Sequence, residues 1–238
     1  MLDLIGTTVL TAALAVNFNA AIVGMPLSPV QKLATAAMAG LWIGLAIALA
    51  AIGIYAAAAT PVPVVGVMAG LPLIGLGLAA LLSARVRDVL LALPVSLLVG
   101  LHTLRIATGG FILLLALQGR LSGPFPESAG WGDIVVGLAA IPLTVAIARN
   151  LPGHRITLLA WNILGTFDLV TAVWLGITSA PGSPIQRFGE TIGSTAMWTL
   201  PWSNIPTLLV PFYLITHGII FARLARAGRT DGLTGAAC

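Results

Sequence analysis

Seven stretches of apolar residues, each near the length that crosses the hydrocarbon of a bilayer, divide the chain at short breaks rich in charge, Pro or Gly. They fall at about 4–25, 33–57, 61–82, 90–118, 131–149, 155–178 and 204–224. Asn17 and Asn19 interrupt the first, and Pro61 and Pro63 open the third. The fourth is too long for a straight crossing, which predicts a tilt or a kink at Pro94 with its first turns along the interface. The fold class read from this pattern is all-α: residues 1–238 form one polytopic membrane helix bundle with seven transmembrane helices.

Composition agrees, with 58% hydrophobic and 8% charged residues and a mean hydropathy of +1.06. Seven crossings consume about 140 residues at about 20 each, which leaves no room for a soluble catalytic domain. Charge then sets orientation. With the N-terminus outside and the C-terminus cytoplasmic, Lys32, Arg85, Arg87, Arg149, Arg155, Arg223, Arg226 and Arg229 face the cytoplasm, against Arg120 and Arg187 outside. Trp131, Trp198 and Trp202 then fall at the outer surface, where indoles favour the headgroup region. Asp3 stands where a signal peptide needs positive charge, so the first segment reads as a retained helix. A formal charge of +4 reports topology here, and no nucleic-acid role is assigned. The single cysteine, Cys238, excludes an intrachain disulfide and a thiolate metal cluster.

Glycine spacing suggests how helices associate. Gly40 and Gly44 in the second helix, and Gly66 and Gly70 in the third, form GxxxG patterns that let backbones approach. They serve either packing within the chain or a homo-oligomer or membrane-protein partner.

Polar side chains inside a span are expensive and usually face the bundle interior in pairs. Arg105 lies near the middle of the fourth helix, with His102 and Gly109 on the same face. Asp168, near the middle of the sixth, is the acid expected to pair with it. Such a pair either fixes helix packing or acts as a gate or proton relay. His102, Asn162 and His217 fall at one depth nearer the cytoplasm, so the two histidines could ligate a haem b or line a quinone site; alternatively they are hydrogen-bonded core residues, with Tyr213 one turn before His217 as a partner. The outer loops supply a candidate vestibule. One is Gly123 to Asp133, rich in turn formers and carrying Glu127, Trp131 and Asp133, the last read as the start of the fifth helix. The other runs from Ala180 to Asn204 and carries Gln186, Arg187, Glu190, Trp198 and Trp202, long for a connection in a bundle.

Several chemistries are excluded. Lys32, the only lysine, lies in a predicted loop, so no Schiff base forms within the last span. HExxH and P-loop patterns are absent. The GPF-x-x-x-AGWGD stretch at 123–133, WN-x-LG-x-x-DL at 161–169 and IPT-x-LVP-x-YL-x-x-H at 205–217, with Arg105 before them, resemble uncharacterised bacterial multi-pass integral membrane proteins. That resemblance implies a bacterial inner membrane and transfers no catalytic residue. The reading is a small-solute or proton transporter or channel, rather than an enzyme, with a polar core around Arg105 and Asp168. Alternatives are a membrane redox subunit using His102 and His217, or a structural assembly partner. A transport route predicts an enclosed polar cavity linking Arg105 to the outer face.

Overall fold

A computed structural model describes residues 1–57, 61–188 and 192–235; Glu190 therefore lies outside the described residues. Its helices are α1 (Leu2–Gly24), α2 (Pro29–Ala51), α3 (Ile54–Ala57), α4 (Pro61–Leu82), α5 (Ala84–Leu91), α6 (Val95–Leu101), α7 (Arg105–Leu117), α8 (Phe125–Ala148), α9 (His154–Thr178) and α10 (Val210–Gly235). A 3-10 turn at His102–Leu104 joins α6 to α7, and a π turn at Ile205–Leu209 leads into α10. Among the described residues, seven helical spans are long and apolar enough to cross a membrane. They follow the seven apolar stretches of the sequence. One end of the bundle carries Asp3, the other Arg226.

Local chemistry explains where the boundaries differ. Ser28 and Gln31 form a reciprocal capping box, so α2 starts at Pro29, and Gly53 with φ +75° ends that span before residue 57. The long fourth stretch breaks at Pro94: α5, capped by Ser83, is a separate short helix, and α6 begins after the proline. The fifth span begins at Phe125 instead of 131 because Pro124 and Pro126 occupy the first positions of a helix, where proline suits the unpaired N–H groups. Gly-Pro-rich sequence reads as loop, yet here it is the entry to a helix.

The fourth span (α6 and α7) and the seventh (α10) are the most buried; α2 and α4 lie at the periphery. Two apolar clusters form the core. One, at the Asp3 end, includes Leu10, Leu14, Phe111, Leu115 and Leu208; the other, at the Arg226 end, includes Leu98, Val99, Ala140, Leu143 and Ile220. A polar layer lies between them. The predicted GxxxG glycines do not pack inside the chain: a Cβ built on Gly40, Gly44, Gly66 or Gly70 meets nothing within 4 Å.

Trp202 corrects a second expectation. It is fully buried instead of lying at a headgroup surface, and its Nε1 donates to Asp3 Oδ1 at 2.8 Å. Arg120 pairs with the same carboxylate at 2.7 Å. The described parts of the segment, 180–188 and 192–204, are packed down onto the bundle through buried Ala180, Ser194, Ala196, Met197 and Trp202.

Candidate functional site

Arg105 follows the 3-10 turn that joins α6 to α7, and its side chain is wholly buried. Nε donates to Asp133 Oδ1 at 2.7 Å, and Nη2 donates to Asp168 Oδ2. Two carboxylates from α8 and α9 thus share one guanidinium. Arg105 therefore has a second acidic partner beyond the expected Asp168, and Asp133 is not at a helix start in an outer vestibule. Because α8 begins at Phe125, Asp133 sits roughly 12 Å along the helix, at 1.5 Å per residue, and belongs to the core. Thr108 Oγ completes the group, 2.9 Å from Asp133 Oδ2 and 2.9 Å from the Arg105 carbonyl.

Glycines make this meeting possible. A Cβ on Gly109 would lie 2.9 Å from the Asp133 Cβ, one on Gly130 would lie 2.6 Å from Leu113, and one on Gly137 would lie 2.8 Å from Ile106. Without side chains at these three positions, α7 and α8 close until Asp133 reaches Arg105. Gly132 makes room for the Asp168 carboxylate, which occupies the volume its Cβ would fill. The signal was present in the Gly130-Trp131-Gly132-Asp133 run, but it is recognisable only once that run is placed on a helix. Gly132→Ala is expected to displace Asp168 and lower stability by about 1–3 kcal/mol through overpacking. Gly110→Ala, with nothing within 4 Å, should be neutral. Equal thermal midpoints for the two purified variants would contradict the α8–α9 packing described.

The histidine layer adjoins the charged group. His102 and His217 rings are 4.4 Å apart, and His102 also touches Tyr213 at 4.8 Å and Trp161 at 5.0 Å. Thr216 Oγ donates to the Tyr213 carbonyl, so it accepts from His102 Nε2 at 2.8 Å, which places the ring hydrogen there. Asn162 Nδ2 donates to the His217 carbonyl at 3.1 Å; its Oδ1 accepts from His217 Nδ1 at 2.7 Å. Tyr213 is not the partner of His217: its hydroxyl accepts from Asn17 Nδ2 at 3.1 Å, and its ring lies 5.8 Å from the Arg105 guanidinium carbon.

This layer does not accommodate a haem between its histidines. The rings touch each other, and the remaining His217 nitrogen, Nε2, faces Gly165, whose Cβ position is 2.8 Å away. An iron with its macrocycle has no approach to either His217 nitrogen. Among the described residues no group of three or more His, Cys, Asp or Glu could hold a metal ion.

Among the described residues, the other predicted vestibule positions form no ion pair with one another. Glu127 and Trp131 are exposed on α8, and Arg187 is exposed, 5.8 Å from the Trp174 ring. The cavity that reaches the charged group has a volume of about 120 Å³ and lies between α4, α9 and the π turn, lined by Val65, Ala69, Ala172, Gly176 and Trp198, with Asp133 as its one charged residue among the described residues. It is an apolar crevice. The cavity at the charged group is thus lined by apolar side chains, where a water-filled route from Arg105 to the outer loops predicts polar ones.

Residues 62–225 match the family described as Domain of unknown function (DUF8737). The match runs from α4 through most of α10, and so includes Arg105, Asp133, Asp168 and both core histidines while leaving out Asp3 and Asn17. No curated protein and no solved structure matches the chain. The matched span is well over half of the sequence, and the chain belongs to the DUF8737 family.

Proposed function

We propose that this integral membrane protein handles protons in exchange with a small membrane-soluble solute at the Arg105–Asp133–Asp168 group. The observation that carries the reading is the charge count. Two carboxylates against one guanidinium leave one negative charge over, and a medium of low dielectric favours compensating it with one proton or one cation. The hydroxyl of Thr108 gives independent support: its single hydrogen faces two acceptors, the Arg105 carbonyl and Asp133 Oδ2, and a proton on the carboxyl pair relieves that shortage. The proton belongs to the pair and not to one residue. The crevice ending at Asp133 gives a solute dissolved in the bilayer access to the same carboxyl group.

In this reading the protein sits in a bacterial inner membrane with its N-terminus outside and its C-terminus in the cytoplasm. The grouping of Lys32, Arg85, Arg87, Arg149, Arg155, Arg223 and Arg226 toward one end, against Arg120 and Arg187 toward the other, supports that orientation. A second reading, assembly with another membrane helix, is favoured by the outward-facing Gly40 and Gly44 of α2.

Infrared difference spectroscopy of the purified protein tests the proton. The wild type should show one protonated carboxyl band that disappears as pH rises. Asp133→Asn and Asp168→Asn should each abolish it, because either change leaves one carboxylate for one guanidinium. A wild type with no such band at any pH, or a band that survives both substitutions, overturns the reading.

A further inference from the structure

At the Arg226 end, a groove of about 350 Å³ runs between α4 and α10 and is closed by α5. Leu73, Leu76 and Ala80 form one wall, Leu214 and Ile219 the other, and among the described residues Arg87 is the one charged side chain that lines it. Two of its positions are glycine, Gly77 on α4 and Gly218 on α10, and a Cβ on either meets nothing within 4 Å. The groove is therefore wide because two facing helices present no side chain, and nothing else of the described chain fills the space.

We propose that this groove holds an acyl chain of an anionic phospholipid whose phosphate is received by Arg87. Three observations select that occupant. Length fits: 73–81 on α4 and 214–222 on α10 each follow the groove for roughly 12 Å at 1.5 Å per residue, the depth of an acyl chain and not of a headgroup. Lining fits: among the described residues every position on the groove other than Arg87 is Leu, Ile, Ala or Gly, the apolar surface that an acyl chain covers. Charge complements a phosphate. The Arg226 guanidinium pairs with Asp88 at 3.4 Å and that of Arg223 donates to the Leu91 carbonyl, whereas Arg87 makes no hydrogen bond or ion pair among the described residues. A guanidinium suits bidentate phosphate binding.

The position of Arg87 follows from α5. Ser83 caps this eight-residue helix and Leu90 and Leu91 anchor its far end in the core, so its first turn is held where the chain leaves α4. Arg85, two residues earlier and exposed, does not line the groove and serves as the control.

The test is lipid retention by the purified full-length chain, read by native mass spectrometry after exposure to phosphatidylglycerol or phosphatidylcholine with identical acyl chains. One phosphatidylglycerol should be retained, several-fold more than phosphatidylcholine. Arg87→Gln should remove that preference, and Arg85→Gln should leave it. Gly218→Leu fills open space, so it should preserve the thermal midpoint while reducing retention of both lipids. Equal retention of both lipids by the wild type, or an unchanged preference in Arg87→Gln, overturns the proposal. Retention of both lipids by a folded Gly218→Leu variant places the chain elsewhere and overturns it equally.

Discussion

Arg105→Met is expected to destabilise the bundle by about 3–5 kcal/mol, the usual result of deleting one member of a buried ion pair. The loss exceeds that of a packing defect because the substitution strands two carboxylates, 2.9 Å and less from the hydroxyl and guanidinium groups that now serve them. Both must then take up protons or separate, and separation pulls α8 from α9. Arg105→Lys should recover only part of the stability. A point charge on a flexible stem cannot present two parallel donors to two different carboxylates, as the guanidinium edge does through Nε and Nη2. Combining Arg105→Met with Asp133→Asn and Asp168→Asn should recover much of the remainder, since no charge is then left to bury. Thermal midpoints in one detergent rank the four proteins. A single Arg105→Met variant within about 1 kcal/mol of the wild type, the worth of an exposed ion pair, would mean that the guanidinium is not buried as described.

The seven spans were legible because a run of about 20 apolar residues has few other uses. Pro94 was legible for a similar reason: a proline within so long a run has a local consequence that no tertiary context removes. Asp133 was not legible. Its role depends on its depth, depth depends on where α8 begins, and Gly-Pro sequence serves equally well as a loop or as the first turn of a helix whose glycines are required for close packing. Reading Gly130 and Gly137 as contact positions needs the partner, Leu113 or Ile106 on α7, and residue spacing along one helix does not specify the rotation of another.

The polar layer shows the same limit. Arg105 and Asp168 stand out in sequence because charge within a span must find a mate. Equal depth also brought His102, Asn162 and His217 together on paper, and in the fold the three do lie in one connected group. Depth alone left their partners open, however. Tyr213 meets Asn17, 196 residues away, on a helix whose two asparagines looked like interruptions. Asn17 is fully buried while Asn19 bonds back to the Ala15 carbonyl at 2.8 Å. The same residue type two positions apart thus serves the core in one case and its own helix in the other.

Trp202→Ala carries the second large effect, and it decides between two physical roles for an indole near a membrane boundary. An interfacial tryptophan positions a helix against the headgroups and contributes little to packing, so its removal leaves the thermal midpoint nearly unchanged. Trp202 has no exposed surface. Gly6 of α1 lies against the ring so closely that a Cβ there would be 2.8 Å from Cζ3, and the Phe111 ring is 5.4 Å away. Its N–H holds the Asp3 carboxylate that Arg120 also holds, so one side chain fastens α1, the end of α7 and the segment before the π turn. Truncating a buried aromatic of this size costs about 3–5 kcal/mol. Trp131→Ala, at a position 59% exposed, should change stability by no more than about 0.5 kcal/mol, as surface substitutions do. Gly6→Val attacks the same contact from α1 and should be destabilising without touching the tryptophan. Equal midpoints for Trp202→Ala and Trp131→Ala would return both indoles to the headgroup region and detach the 192–204 segment from the bundle. A large loss confined to Trp202→Ala and Gly6→Val would make that segment part of the core that closes the Asp3 end above the charged group.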